Sequence, residues 1–177
     1  MRNNFLILIG SFILFGSPFT INEHSGFITG NAKSANGDFF PIIVHNFEIS
    51  ISDFKNESHQ IEVEIPLKVV STDNWLRDII MKISVFDKSK GDIQFTFKYN
   101  ENLKNGYPNG NVNLLGDLTI NGITNPVFVN FEFYNKNDKN FVKGNAEISL
   151  NKFNIVAPGF SAFKVEDEVN IIFDLSL

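Results

Sequence analysis

Apolar residues fall on alternate positions over most of the chain. Phe47, Ile49 and Ile51 alternate with Glu48, Ser50 and Ser52, and Ile61, Val63, Ile65, Leu67 and Val69 alternate with Glu62, Glu64, Pro66 and Lys68. The same two-residue rhythm runs through 93–99, 127–133, 142–150 and 169–177. A period of two is the mark of strands with one buried and one wet face, the antiparallel case; strands buried in parallel sheets are apolar on both sides. Polar stretches rich in Asn, Gly and Asp separate the runs at 52–60, 100–111 and 135–140, and 30–38 reads as a short loop. Asn121-Gly122 lies between two apolar runs and suits a two-residue type I′ hairpin, whose central positions both need positive φ. Pro126 cannot donate to a ladder and belongs at an edge, a bulge or a strand start.

One segment breaks the rhythm. In residues 71–92, Leu76, Ile80 and Ile83 fall at i, i+4 and i+7, Trp75 meets Ile79, and Asp78 and Lys82 form an i,i+4 pair on the wet side. This predicts a short helix or two, with Ser71, Thr72 or Asp73 as the cap. The whole then reads as an all-β domain: about eight antiparallel strands with a short helical insertion. Such a chain must hide its sheet edges. A lipocalin-like barrel does so and leaves room for side chains or one small ligand; a two-sheet sandwich is the alternative.

The first twenty residues differ from the rest. Arg2 precedes an apolar run from Phe5 to Phe15, and Gly16, Ser17 and Pro18 break it. That is the plan of a secretory signal peptide over 1–20, too short to span a bilayer, with Ser17 and Thr20 as candidate last residues. The domain is then 21–177, periplasmic or secreted, with no transmembrane span in the mature protein. Asn56-Glu57-Ser58 is a glycosylation sequon of the kind that arises often by chance.

Composition narrows the partners. Phe supplies 20 of 177 residues, a large apolar area, while Cys is absent, so disulfides, thiolate chemistry and Cys-based zinc sites are excluded. The net charge of −5, with no basic block, argues against nucleic acid and against anionic lipid surfaces. His24, His45 and His59 do not pair at metal-ligand spacing, so no metal site is expected. Glu62 and Glu64 share a strand face, but it is the wet one, and no hydrolase, zincin or phosphate-loop motif is present. No catalytic residue and no cofactor is expected.

Several blocks carry a resemblance. "STDNWLRDIIMKISVFD" resembles the S-x-x-T-x-N-x-x-R-D region of the YceI-like family, also called polyisoprenoid-binding proteins. "LLGDLTINGITNPVFVNFEF" resembles that family's G-x-L-T-I-x-G-V-T-x-P-V block, and "GDIQFTFK", "KGNAEISLNKFNI" and "VEDEVNIIFDLSL" are similar to its later strands. The blocks stand in family order across 71–177. Three features depart: Asn121 stands where the family has His, Asn151-Lys152-Phe153-Asn154 stands at the Arg-x-x-Phe-Gly step, and the Tyr-Pro pair before the strand is missing. The resemblance implies a lipocalin-like barrel with an elongated apolar cavity, the helical segment near one end, and an exported carrier of a long-chain amphiphile, isoprenoid or fatty-acid-like. Candidate ligand contacts are Trp75 and Arg77 on the helical segment, with Arg77 at the mouth, and Phe95, Phe97, Val129, Phe131, Phe133 and Ile148 on strands. The alternative is a packed barrel serving as a structural or protein-interaction module. A homodimer is compatible with either.

Overall fold

The structure, a computed structural model, describes residues 19–21, 26–53, 59–99, 110–156 and 164–176. Most of the expected leader, His24, the sequon and most of the polar loops at 52–60 and 100–111 lie outside the described residues. The strands are β1 (Phe19–Ile21), β2 (Gly26–Ser34), β3 (Phe39–Val44), β4 (Glu48–Asp53), β5 (His59–Ile65), β6 (Val70–Ser71), β7 (Ile93–Tyr99), β8 (Gly110–Ile120), β9 (Ile123–Lys136), β10 (Lys139–Ser149) and β11 (Val165–Ser176). One helix, α1 (Trp75–Ser84), stands between β6 and β7.

All the strands join one antiparallel sheet in the order β1-β4-β5-β7-β8-β9-β10-β11-β2-β3-β6. The sheet curls on itself in the lipocalin manner. Ile49 and Ile51 of β4 pack with Ile28 of β2 and Leu175 of β11, strands far apart in the sheet order. The chain also links the two ends of the sheet. β6 follows β5 closely in sequence but pairs with β3, and the His45 N–H donates to the Val69 carbonyl at 3.1 Å.

The alternation works as the period of two requires. Val127, Val129, Phe131 and Phe133 of β9 are buried, while Phe128, Asn130 and Glu132 between them face outward. The β8–β9 hairpin turns on Asn121 (φ 53°) and Gly122 (φ 70°), the paired positive φ values of a type I′ turn. Asn137 and Asp138, at φ 53° and 58°, make a second such turn between β9 and β10.

Four local expectations are corrected. Residues 30–34 belong to β2, not to a loop. Gly30, Ala32 and Ser34 continue the buried face begun by Ile28, and their small size hides the alternation. The run at 61–69 stops as a strand at Ile65: Pro66 starts a 3₁₀ turn over Leu67–Val69, and the Leu67 N–H donates instead to Asp92 Oδ1 at 3.0 Å. The helix cap is Asn74, whose Oδ1 accepts from the Arg77 N–H at 3.1 Å. Asp78 does not simply serve the wet face. Its Oδ1 accepts from the Thr72 N–H at 2.6 Å and from the Thr72 hydroxyl at 2.7 Å, tying the helix back to the chain that leaves β6.

Candidate functional site

The curled sheet encloses a cavity of about 300 Å³. Its wall is built from the inward positions of β2 through β5 and β7 through β11, with Val70 of β6, and nearly every side chain on it is aliphatic or aromatic. Filled barrels of this size close over their own side chains; this one keeps a space at the lower end of the range for ligand sites. Small residues help keep it open. Gly116 sits under Phe95, and a Cβ there would collide with that ring. Gly144 does the same for Phe173.

One end carries an aromatic cluster. Phe97 lies 6.1 Å from Phe131 between ring centroids, Phe131 lies 5.2 Å from Phe133 edge-on, and Tyr99 lies 6.2 Å from Phe133. Such tilted contacts at these distances are favourable beyond the area they bury. Phe95 and Phe97 are 5.6 Å apart and half-buried.

The other end is the α1 end. Met81 is the buried residue of the helix, and Arg77, Ile80 and Met81 reach the cavity. The Arg77 guanidinium lies 4.3 Å from the centroid of the Phe40 ring, a cation–π distance, and its Nη1 donates to the Thr72 carbonyl at 3.4 Å. Arg77 and Thr72 therefore give a polar edge to an otherwise apolar wall. The exit of α1 is fastened by the departing residue of the hairpin. Asn121 Nδ2 donates to the Val85 carbonyl at 2.7 Å, and its Oδ1 accepts from the Asp87 N–H at 2.9 Å. Asn154, at φ 53°, takes the left-handed position after the 3₁₀ turn Leu150–Phe153, where the family pattern has Gly; Asn tolerates it. Asp167 braces that turn, accepting from the Ser149 hydroxyl at 2.6 Å and the Asn151 N–H at 2.7 Å. These bonds, Ser149 first, hold its carboxyl below the usual range.

Seven of the eight candidate ligand contacts lie on the cavity wall: Arg77, Phe95, Phe97, Val129, Phe131, Phe133 and Ile148. Trp75 does not. It is 74% exposed on the outer side of α1, because the Asn74 cap and the Asp78–Thr72 bonds turn Arg77, Ile80 and Met81 toward the barrel instead. The aliphatic wall of β4 and β5 and the small residues of β2 were not singled out in the sequence. The alternation at 47–51 and 61–65 was signal enough for the first two.

A curled antiparallel sheet around an apolar cavity, with a helix at one end, defines a lipocalin-like fold. The YceI-like domain matches residues 19–177, and the chain belongs to that family. Among solved structures it is similar to a polyisoprenoid-binding domain from Saccharophagus degradans implicated in plant cell wall breakdown, at 13% identity and TM-score 0.68 over 85% of this chain and 92% of that one. It is similar to Burkholderia cenocepacia BcnA at 18% identity and TM-score 0.68, over 86% and 96%. A Campylobacter jejuni YCEI protein aligns at 19% identity and TM-score 0.53, over 100% and 98%. No curated protein sequence matches.

Proposed function

We propose that the chain is an exported carrier that sequesters a long apolar chain, isoprenoid or fatty-acid-like, in the barrel, without catalysis. The carrying observation is the 300 Å³ cavity, whose wall is apolar except near Thr29, Thr72 and Arg77. A relative of the same fold is described as polyisoprenoid-binding, which supports the reading. The mechanism is burial. About fifteen methylene or methyl groups leaving water contribute roughly 12 kcal/mol gross, and association and ordering costs remove a large part. Arg77 beside Thr72 would orient a polar head at the mouth, while cavity length selects the tail. Export is argued from the leader pattern. Because β1 starts at Phe19, cleavage after Ser17 is preferred over Thr20, which would cut the strand.

Mass spectrometry of the exported protein tests both parts. The polypeptide should begin between about residues 17 and 26, and solvent extraction should release a long-chain lipid. Phe131→Trp should then lower the capacity for a fluorescent fatty acid while costing little stability, since added volume enters open space. A wild type that carries no lipid, binds no fatty acid and loses about 1–3 kcal/mol on this change would have a packed core. The interaction-module reading would then replace the carrier.

A further inference from the structure

Helix α1 turns its apolar stripe away from the protein. Trp75 is 74% exposed and Ile83 76%, with Leu76 and Ile79 about half exposed between them. These four recur at helical spacing on the outer side, so the exposure is one continuous stripe and not scattered residues. Phe39, which precedes the Phe40 that stacks on Arg77, is exposed at the same end of the barrel. The stripe continues into the cavity. Ile80 is both partly exposed and on the cavity wall, next to Met81. An apolar chain leaving the cavity past α1 would meet only the polar edge of Arg77 and Thr72.

Charge indicates what the stripe faces. The chain carries −5 overall, but residues 73–92 are balanced, with four basic side chains, Arg77, Lys82, Lys88 and Lys90, and four acidic ones, Asp73, Asp78, Asp87 and Asp92. Three of these acids are engaged by the fold: Asp78 accepts from Thr72, Asp87 from the Ser89 N–H at 3.0 Å and its hydroxyl at 2.7 Å, and Asp92 from the Leu67 N–H at 3.0 Å. A short helix with an aromatic and aliphatic face flanked by lysines is built to lie in a bilayer interface with anionic headgroups around it. Against a chain at −5 the segment is neutral, and its lysines, Lys82, Lys88 and Lys90, gather at the end of α1 and in the turn after it.

We infer that α1 docks the barrel mouth onto an anionic lipid surface, with Trp75, Leu76, Ile79 and Ile83 in the interface and Lys82, Lys88 and Lys90 at the headgroups. The carrier reading supplies a purpose for this contact, loading or release of cargo, but the docking geometry stands without it. The helix is too short to span and would lie flat.

The protein contains a single tryptophan, so fluorescence reports on this helix alone. The full chain is mixed with vesicles of phosphatidylcholine, with or without phosphatidylglycerol, and floated on a gradient. Expected results are flotation with the anionic vesicles, a blue shift of Trp75 emission, and its quenching by lipids brominated on the acyl chain. Ile83→Asp, at an exposed position, should fold normally and weaken partitioning about tenfold. Lys88→Gln with Lys90→Gln should weaken it about tenfold on anionic vesicles only. No flotation on either vesicle overturns the proposal. So does flotation without a change at Trp75, or a Trp75 already shielded from acrylamide in a concentration-dependent dimer, which would make a second copy the occupant. Vesicle binding that persists in protein unable to bind fatty acid would defeat the carrier reading and leave the docking intact.

Discussion

Strand β9 and helix α1 both carry an unbroken apolar stripe, one with a period of two and the other with helical spacing. On β9 the stripe from Val127 to Phe133 is sealed, each residue keeping only 5–7% of its exposure. On α1 the exposed apolar side chains run from 42% at Ile80 to 76% at Ile83. The difference lies in how each element is held. β9 is paired along its length with β8 on one side and β10 on the other. Its register leaves it two faces, one of which is the interior of the curl. α1 is fastened by polar ties at its ends: Asn74 and Asp78 at the entry, Asn121 at the exit. Those ties, with the burial of Met81, set its rotation. An apolar stripe shows that a face seeks an apolar medium; only the surrounding connections show whether that medium is the protein.

The most direct way to break this comparison is to delete one side chain from each stripe. Phe131 packs against Phe97 and Phe133, so Phe131→Ala should cost about 3 kcal/mol. Ile83→Ala should change stability by no more than about 0.5 kcal/mol. Chemical denaturation with an unchanged m-value measures both. A comparable loss for Ile83 would mean that α1 is covered by protein in solution.

The same contrast explains what could be read from the residues. The strands announced themselves because alternation needs only the presence of an interior. The Phe95, Phe97, Phe131 and Phe133 stripe therefore came to the cavity wall as expected. β2 was partly hidden because its inward residues, Gly30, Ala32 and Ser34, are chosen for clearance and not for bulk; a Cβ at Gly30 would crowd Ile171 and Ile42. Trp75 was misplaced because helical periodicity fixes which residues share a face and leaves the direction of that face open. The hollow interior was not legible in the alternation and was implied only by the family resemblance. Large side chains fill or line a barrel depending on the curl of the sheet, and that curl is a property of all the strands together.

A second variant sharpens the claim that polar ties hold α1. Asn121→Gly keeps the positive φ of the type I′ turn, which Gly adopts without strain, and removes the bonds to Val85 and Asp87. The expected loss is about 1–2 kcal/mol, for two hydrogen bonds of which one carries a part-buried carbonyl. Amide hydrogen exchange should rise at 85–87 and along α1 while β8 and β9 stay protected. Equal loosening of the hairpin would show that Asn121 serves the turn itself and not the helix.

The smallest effect tests the outer half of the strand alternation. If Ile61, Val63 and Ile65 of β5 face the cavity, then Glu62 and Glu64 are forced onto the outer face, where Glu64 sits directly opposite Glu48. Partial burial raises the Glu64 pKa, and the neighbouring charges of Asp92, Glu48 and Glu62 raise it further. A carboxyl whose pKa is higher in the folded than in the unfolded chain favours folding while both states are protonated. That contribution is lost as pH rises from the ordinary glutamate value through the raised one. Glu64→Gln should therefore stabilise the protein at pH 7, by about 0.5 kcal/mol for relief of one like-charge cross-strand pair. The gain should fade as pH falls through the raised value, and be gone below the ordinary glutamate value, where the carboxyl is protonated in both states. Asp167 provides the opposite sign within the same molecule: its lowered pKa means that Asp167→Asn should destabilise at pH 7 and approach wild type as pH falls. In thermal melts Glu64→Gln should close on wild type as pH falls from 7 toward the ordinary glutamate range, while the Asp167→Asn deficit should persist there and close only below the ordinary aspartate value. A Glu64→Gln difference independent of pH would mean that the charge is not crowded there, and that β5 does not present its glutamates as the alternation requires.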